Sequence, residues 1–416
     1  MSITRQIRKI KNILKFHCLE AKRQKLLKKL PSQKKIKIAF LGYALGASCD
    51  LFSRIYQEFK NDARFSPCIV IVPNSYGSKE IMIEIQNQAK QYLDSLNIPY
   101  ICGYDEKDDV FVDIAKTINP DIIFMCHHYD WFPKEFRIDN FREKLVYITP
   151  YSYFLDDNLQ SNSNTKAYMY AHKCFFETKD LSQMWKNASA VKKNKEGEFL
   201  GYLKVDNILF SQNNHKDIWK IKDKTVKRII WAPHHLDAPL SNFLEYKDLF
   251  LNLAKARDDI QFAFRPHPGL KGSLQRVAHW DKTEIDNYYQ SWQNLPNAFV
   301  SEGAFIDLFF SSDAMILDSI SFIAEYFITG KPMCIQTPKH NFKFNSFTEK
   351  LKDNLYKSNC YGDIINFVDN IVCSKQDSLS NNRQQIIYDQ FLPPNNKSAA
   401  FNIYDYICNE IFKEKI

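Results

Sequence analysis

Four short groups of residues carry side chains suited to acid–base or anion chemistry, and each directly follows an apolar run. Arg265-Pro266-His267-Pro268 comes after the run 260–264, and its two prolines restrict the loop so that the imidazole takes a reproducible position. A guanidinium beside an imidazole can neutralise a diphosphate, and the imidazole can also protonate a departing phosphate. Asp318, Ser319 and Ser321 come after the run 314–317 and open a helical pattern that continues through Glu325 to Thr329. Hydroxyls and free backbone N–H groups at a helix start cap the helix and also cradle an anion. An aspartate repels a phosphate, so Asp318 is expected to orient His267 or another donor. Glu325 either accepts hydrogen bonds from a ribose or faces solvent. His234 and His235 follow the run 228–231. Neighbouring side chains of a strand point to opposite faces, so one of the pair at most is expected to serve a site. With no third ligand near in sequence, no metal site is assigned. His128 and Asp130, after the run 121–126, offer an imidazole and a carboxylate as general base for an acceptor hydroxyl, or else form an ordinary polar loop.

These groups must be positioned by the elements around them. Apolar strand patterns at 36–42, 68–72, 100–102, 121–126, 145–148, 173–176 and 199–202 alternate with amphipathic helix patterns. The series restarts at 228–231 and continues at 260–264, 297–300, 314–317 and 333–335, with Gly330-Lys331-Pro332 ending a helix before the last strand. Such alternation predicts parallel βαβ units and two Rossmann-like α/β domains facing each other across a cleft. Ligands of these sheets bind beyond the C-terminal strand ends, where all four groups fall. The polar stretch 206–225 is the expected linker. The chain then divides into a basic helix at 1–30, a first domain at 31–215, a second at 216–390 and a C-terminal helix at 391–416. Gly42 and Gly46 lack the full Gly-x-Gly-x-x-Gly spacing and read as turn residues.

Composition narrows the class. In 416 residues, 45% are hydrophobic and 25% charged, the balance of a globular protein large enough for two cores. None of the ten cysteines forms a Cys-x-x-Cys pair, which points to a reducing compartment and away from a zinc framework. The net charge of +8 belongs to residues 1–30, where ten Lys and Arg face one acid, Glu20. The body is therefore not basic, and no nucleic-acid partner is expected. Ile3, Ile7, Ile10 and Leu14 share one helical face, so residues 1–30 read as a helix on an anionic membrane surface or as one packed on the protein's own body. No apolar run approaches the roughly 20 residues that span a bilayer. The expected location is cytoplasmic, peripheral on the inner face of the plasma membrane.

Taken together, the motifs of the second half resemble the CDP-glycerol glycerophosphotransferase family of teichoic-acid and capsule polymerases, which have GT-B architecture. Trp231-Ala232-Pro233-His234-His235 resembles the family's strand end, and Arg265-Pro266-His267-Pro268 its basic-x-His-Pro signature. Asp313 to Ser321, running on to Gly330-Lys331-Pro332, is similar to a third block. Gly201-Tyr202-Leu203-Lys204-Val205-Asp206 looks like the element at the domain junction, with Leu203 in place of proline. Asn395 to Ala399 resembles the element before the last helix, with Asn-Asn for Asp-Gly. The family's Trp-His-Gly-Thr-Pro element is absent, and Tyr147 to Tyr151 takes its place without the histidine. The resemblance implies a transferase that moves a polyol phosphate from a CDP-linked donor to a glycan or lipid-linked acceptor and releases CMP. Arg265, His234, His235, Asp318, Ser319, Ser321 and Glu325 would bind the donor, with His267 catalytic, and His128 or Asp130 would replace the missing base. No cofactor is assigned, although a divalent metal can assist such chemistry. The alternatives are a GT-B glycosyltransferase using a nucleotide sugar for surface polysaccharide, and a non-catalytic membrane-surface assembly protein.

Overall fold

The computed structural model describes residues 18–43, 51–74, 78–127, 132–163, 165–188, 198–238, 240–303, 305–337 and 342–414, with the side chains of Tyr43, Gln160, Ser163 and Ser321 outside the description. The segment 1–17, Gly46, and the proposed base residues His128 and Asp130 lie outside the described residues. Two compact units emerge. The first comprises 1–154, 158–207 and 391–416, and the second comprises 155–157 and 208–390.

Each unit is built on a six-stranded parallel sheet. In the first, the strands are β1 (Ile36–Tyr43), β2 (Phe65–Val72), β3 (Tyr100–Cys102), β4 (Ile122–Met125), β5 (Leu145–Ile148) and β6 (Lys173–Cys174), in the order β3-β2-β1-β4-β5-β6. In the second they are β7 (Lys227–Ala232), β8 (Ile260–Phe264), β9 (Ala298–Val300), β10 (Ala314–Leu317), β11 (Met333–Gln336) and β12 (Tyr356–Ser358), in the order β9-β8-β7-β10-β11-β12. Both sheets therefore follow one doubly wound plan. The order reverses between β1 and β4 in one and between β7 and β10 in the other, and a crevice opens at such a point beyond the strand ends.

The strands form where they do because helices cover both faces, which demands continuous apolar runs rather than alternation. β4, β5, β8 and β10 are buried along their whole length. The high aromatic content is spent on ring ladders across neighbouring strands. Phe40 stacks on Phe124 at 4.8 Å and Phe124 on Tyr147 at 5.4 Å in the first sheet. In the second, Trp231 stacks on Phe250 at 4.5 Å and on Phe264 at 5.1 Å. Such pairs add about 1 kcal/mol each beyond the area they bury.

Three features depart from the sequence expectations. Residues 199–202 are not a strand: only Glu198 makes an isolated bridge, to Phe175, and helix begins at Leu203. Gly201 there has φ +95°, and a Cβ on it would lie 2.7 Å from the Pro393 Cβ. The chain needs a glycine to pass that close, and the apolar pattern alone conceals this. Strand β12 was not anticipated because its short, partly polar sequence carries little signal. Finally, residues 18–29 are helical and dock on the first unit through buried Leu19, Leu27 and Leu30. Arg23 is fully buried, donating to the carbonyls of Lys144 at 3.2 Å and of Tyr170, with burial lowering its pKa. Of the two readings of the basic segment, the described part follows packing on the protein's own body. No helix among the described residues is long and apolar enough to cross a membrane.

Candidate functional site

The second sheet brings two of the predicted groups to the C-terminal ends of neighbouring strands β7 and β8, and a third follows β10 on the other side of β7. β7 ends at Ala232, so His234 and His235 lie beyond the strand, after Pro233, and the alternation that would separate them no longer applies. Both rings join His267. Ring centroids are 4.3 Å apart for His234 and His235, 4.5 Å for His234 and His267, and 4.7 Å for His235 and His267. The His267 backbone N–H donates to the Pro233 carbonyl at 3.0 Å and that of Arg265 to Trp231 at 2.8 Å, which ties the two loops in register.

Asp318 holds this arrangement from below. It is 2% exposed, and its carboxylate accepts the backbone N–H of His234 at 2.6 Å and of Asn242 at 2.5 Å. Asn242 in turn donates to the Thr337 carbonyl at 3.1 Å, so one network spans the loops after β7, β10 and β11. Asp318 thus orients the His234 backbone, where the sequence pointed to an imidazole such as that of His267. Burial raises its pKa to about 7 against the backbone N–H groups of Asn242, His234 and Asp318 itself, which lower it. Helix α1 (Ser321–Phe327) starts immediately after, with Ile320 at its N-cap and no side-chain cap bond from that residue. The expected cap by serine is therefore not made at the N-cap position. Ser319 and Glu325 are buried at 4% and 5% exposure.

The three imidazoles differ in hydrogen bonding. His234 Nδ1 accepts the His235 backbone N–H at 2.9 Å, and His267 Nδ1 accepts that of Gly269 at 3.0 Å. An accepting Nδ1 places the proton of a neutral ring on Nε2. Burial, reinforced by the neighbouring rings, lowers the pKa of His234 to about 3 and of His267 to about 4, so both are neutral near pH 7. They present Nε2–H donors. The ligand-capable nitrogens of the three rings lie within 4.8 Å of one another, close enough to suggest a metal ion. Two locked Nε2–H groups argue against that use, because a metal needs the lone pair they have given up.

Arg265 is 7% exposed; its guanidinium donates to the Gly303 carbonyl and to Ser301 Oγ at 3.5 Å, which joins the loops after β8 and β9. Burial lowers its pKa to about 10, so it stays charged, with Glu302 and Glu325 opposing the shift.

Other motif residues proved structural. Lys331 Nζ donates to the carbonyls of Phe309 at 2.9 Å, Phe310 at 2.6 Å and Ser312 at 2.6 Å, closing the end of helix Ile306–Ser311. Gly330 has φ +72° and ends α1. In the first unit, Asp206 caps helix α2 (Ala399–Phe412) by accepting the N–H groups of Ala399 and Ala400, each at 2.8 Å. The junction element and the element before the last helix therefore meet. Asp237 and Arg276, which sequence reasoning missed, pair at 2.7 Å, and Asp237 lies 3.4 Å from His235 Nδ1. No spacing rule flags either.

The fold defined by these two sheets is the GT-B class, and solved structures agree. A putative UDP-N-acetylglucosamine 2-epimerase from Listeria monocytogenes matches with TM-score 0.59 at 11% identity, covering 91% of this chain and 98% of that one. The UDP-GlcNAc 2-epimerase of Neisseria meningitidis bound to UDP-GlcNAc matches with TM-score 0.57 at 13% identity, over 91% of this chain and 100% of its own. The wall teichoic acid polymerase TagF, soaked with CDPG, matches with TM-score 0.53 at 13% identity, over 99% of both chains. No family model and no curated protein matches the sequence.

Proposed function

We propose that the protein is a GT-B transferase that moves a polyol phosphate, glycerol phosphate first among candidates, from a CDP-activated donor to a hydroxyl of a glycan or lipid-linked acceptor. The observation that carries this reading is the convergence of His234, His235 and His267 at the ends of β7 and β8, with Arg265 directly following β8. Phosphoryl transfer depends mainly on positioning and charge stabilisation. Arg265 supplies the charge, and the Nε2–H groups of His234 and His267 donate to diphosphate oxygens. A neutral His267 stabilises departing CMP by hydrogen bonding, which a phosphate leaving group can use without taking a proton. Ser319, Ser321 and Glu325 complete the donor pocket, with Glu325 accepting from the ribose. The likeness to TagF with its soaked CDPG supports this donor class.

A second reading uses a nucleotide sugar, and the UDP-GlcNAc-bound neighbour favours it. A donor panel with purified protein separates the two. CMP release from CDP-glycerol supports the transferase, and UDP release from UDP-GlcNAc in its place refutes it. Unchanged product formation in cells carrying His267→Ala would leave the non-catalytic assembly role. The membrane contact is proposed for residues 1–17, because 18–30 pack on the first unit. Removal of residues 1–17 should abolish sedimentation with anionic liposomes, and retained sedimentation refutes the contact.

A further inference from the structure

The geometry points to His235, backed by Asp237, as the general base that deprotonates the acceptor. This inference rests on the transfer reaction proposed above and fills the role for which the sequence offered only His128 and Asp130. The three imidazoles of the cluster are not equivalent. His234 and His267 have Nδ1 engaged by backbone N–H groups and carry their protons on Nε2. His235 has no such donor at Nδ1. It has Asp237 Oδ2 3.4 Å away, a charge contact without a hydrogen bond, and Arg276 pairs with that same oxygen at 2.7 Å. Negative charge this close to Nδ1 favours the tautomer protonated at that nitrogen and stabilises the imidazolium formed later. The lone pair is then on Nε2, free to accept a proton. His235 is also open to solvent, with its side chain 27% exposed, while His234 is 8% exposed. Two rings donate and one accepts, within one cluster, which is the division of labour a transfer needs. The charged and titratable groups facing His235 are His234, His267 and Asp237, with Arg276 acting through Asp237.

In the step, an acceptor hydroxyl or water gives its proton to His235 Nε2 as its oxygen lone pair forms a bond to the phosphorus carrying the polyol. The bond from that phosphorus to the bridging oxygen breaks, and CMP leaves with the electron pair. His235 then returns its proton to solvent. Asp237 touches no reacting atom and is a positioning residue.

The test uses full-length protein, CDP-glycerol as donor, and water or added glycerol as acceptor. CDP binding by calorimetry is measured beside CMP release across pH for His235→Gln and Asp237→Asn. His235→Gln should bind CDP within about threefold of wild type while kcat falls roughly 100-fold or more. Its kcat should also lack the decline toward acid pH that a general base imposes on wild type. Asp237→Asn should lower kcat by about 10- to 100-fold with KM for the donor unchanged, and displace the acid side of the profile, which a merely structural role would not move. Wild-type turnover in His235→Gln overturns the assignment. Loss of CDP binding in step with turnover also overturns it, because His235 is then a donor ligand. Wild-type protein that binds and turns over UDP-GlcNAc and not CDP-glycerol refutes the donor reading alone, and the same measurements with UDP and UDP-GlcNAc then decide His235.

Discussion

Among the described residues each unit buries one aspartate that accepts backbone N–H groups from two other residues, and the two have different consequences. Asp318 in the second unit takes His234 and Asn242, and Asp206 in the first takes Ala399 and Ala400. Burial raises both, to about 7 and about 6. By local physics they are the same device, a carboxylate fastening chain segments that are distant in sequence. Asp318 sits between the ends of β7 and β10, where the strand order reverses, and the loop it fastens carries histidines. Asp206 lies in the first turn of the helix that begins at Leu203 and fastens the start of α2. A perturbed carboxylate therefore marks a joint, and only its place in the topology makes the joint part of a site. The described strand ends of the first sheet reinforce the contrast: Cys126 Sγ donates to the Leu41 carbonyl at 3.5 Å, and the His127 ring packs on Phe132 at 3.8 Å.

The contrast is exposed to mutation. Asp318→Ala should lower CMP release from CDP-glycerol by roughly 100-fold, because a histidine loop displaced by about 1 Å loses that much. Asp206→Ala should leave turnover per folded molecule within about twofold, so equal losses in the two variants would erase the distinction. The second effect is on stability. Asp206→Ala leaves two N–H groups at a buried helix start and should cost about 2–4 kcal/mol by urea denaturation. Lys331→Met strips the donor from three carbonyls and should cost about 2 kcal/mol, seen as a lower Tm. The smallest effects are in pH dependence, and the site histidines run opposite to the buried aspartates. His234 and His267 have folded pKa values of about 3 and about 4, below the ordinary 6.5, so the unfolded chain binds more protons between those limits. Their contribution to stability is full above pH 6.5 and is lost as pH falls through the window. Asp206, raised from 3.8 to about 6, does the reverse: its contribution is full below pH 3.8 and is lost as pH rises to about 6. Urea midpoints between pH 4 and 7 should show a flatter acid decline in His267→Asn, and no loss on the rise from pH 4 to 6 attributable to position 206 in Asp206→Asn.

Much of the fold was legible because a strand buried on both faces must be an uninterrupted apolar run. Residues 100–102, 145–148 and 314–317 form strands at the expected bounds. Where the apolar signal served another purpose, it misled. Residues 199–202 are apolar because they thread past Pro393 and Ala399, not because they join a sheet. The candidate site was legible as a set of residue types after strands, since loops at strand ends carry the polar groups that the strands exclude.

What the sequence by itself determined, then, is two parallel α/β units and the candidate side chains that follow the strands of the second. Only the tertiary structure decided how those side chains are used. Asp318 and His234 are 84 positions apart, and the pairing that orients His234 exists only once β7 and β10 lie side by side. Likewise Arg276 reaches Asp237 across 39 positions, and that contact, not the His-His dipeptide, distinguishes His235 from His234. Local sequence sets backbone preference and burial pattern. Protonation state and tautomer depend on neighbours that chain folding alone brings within hydrogen-bonding distance.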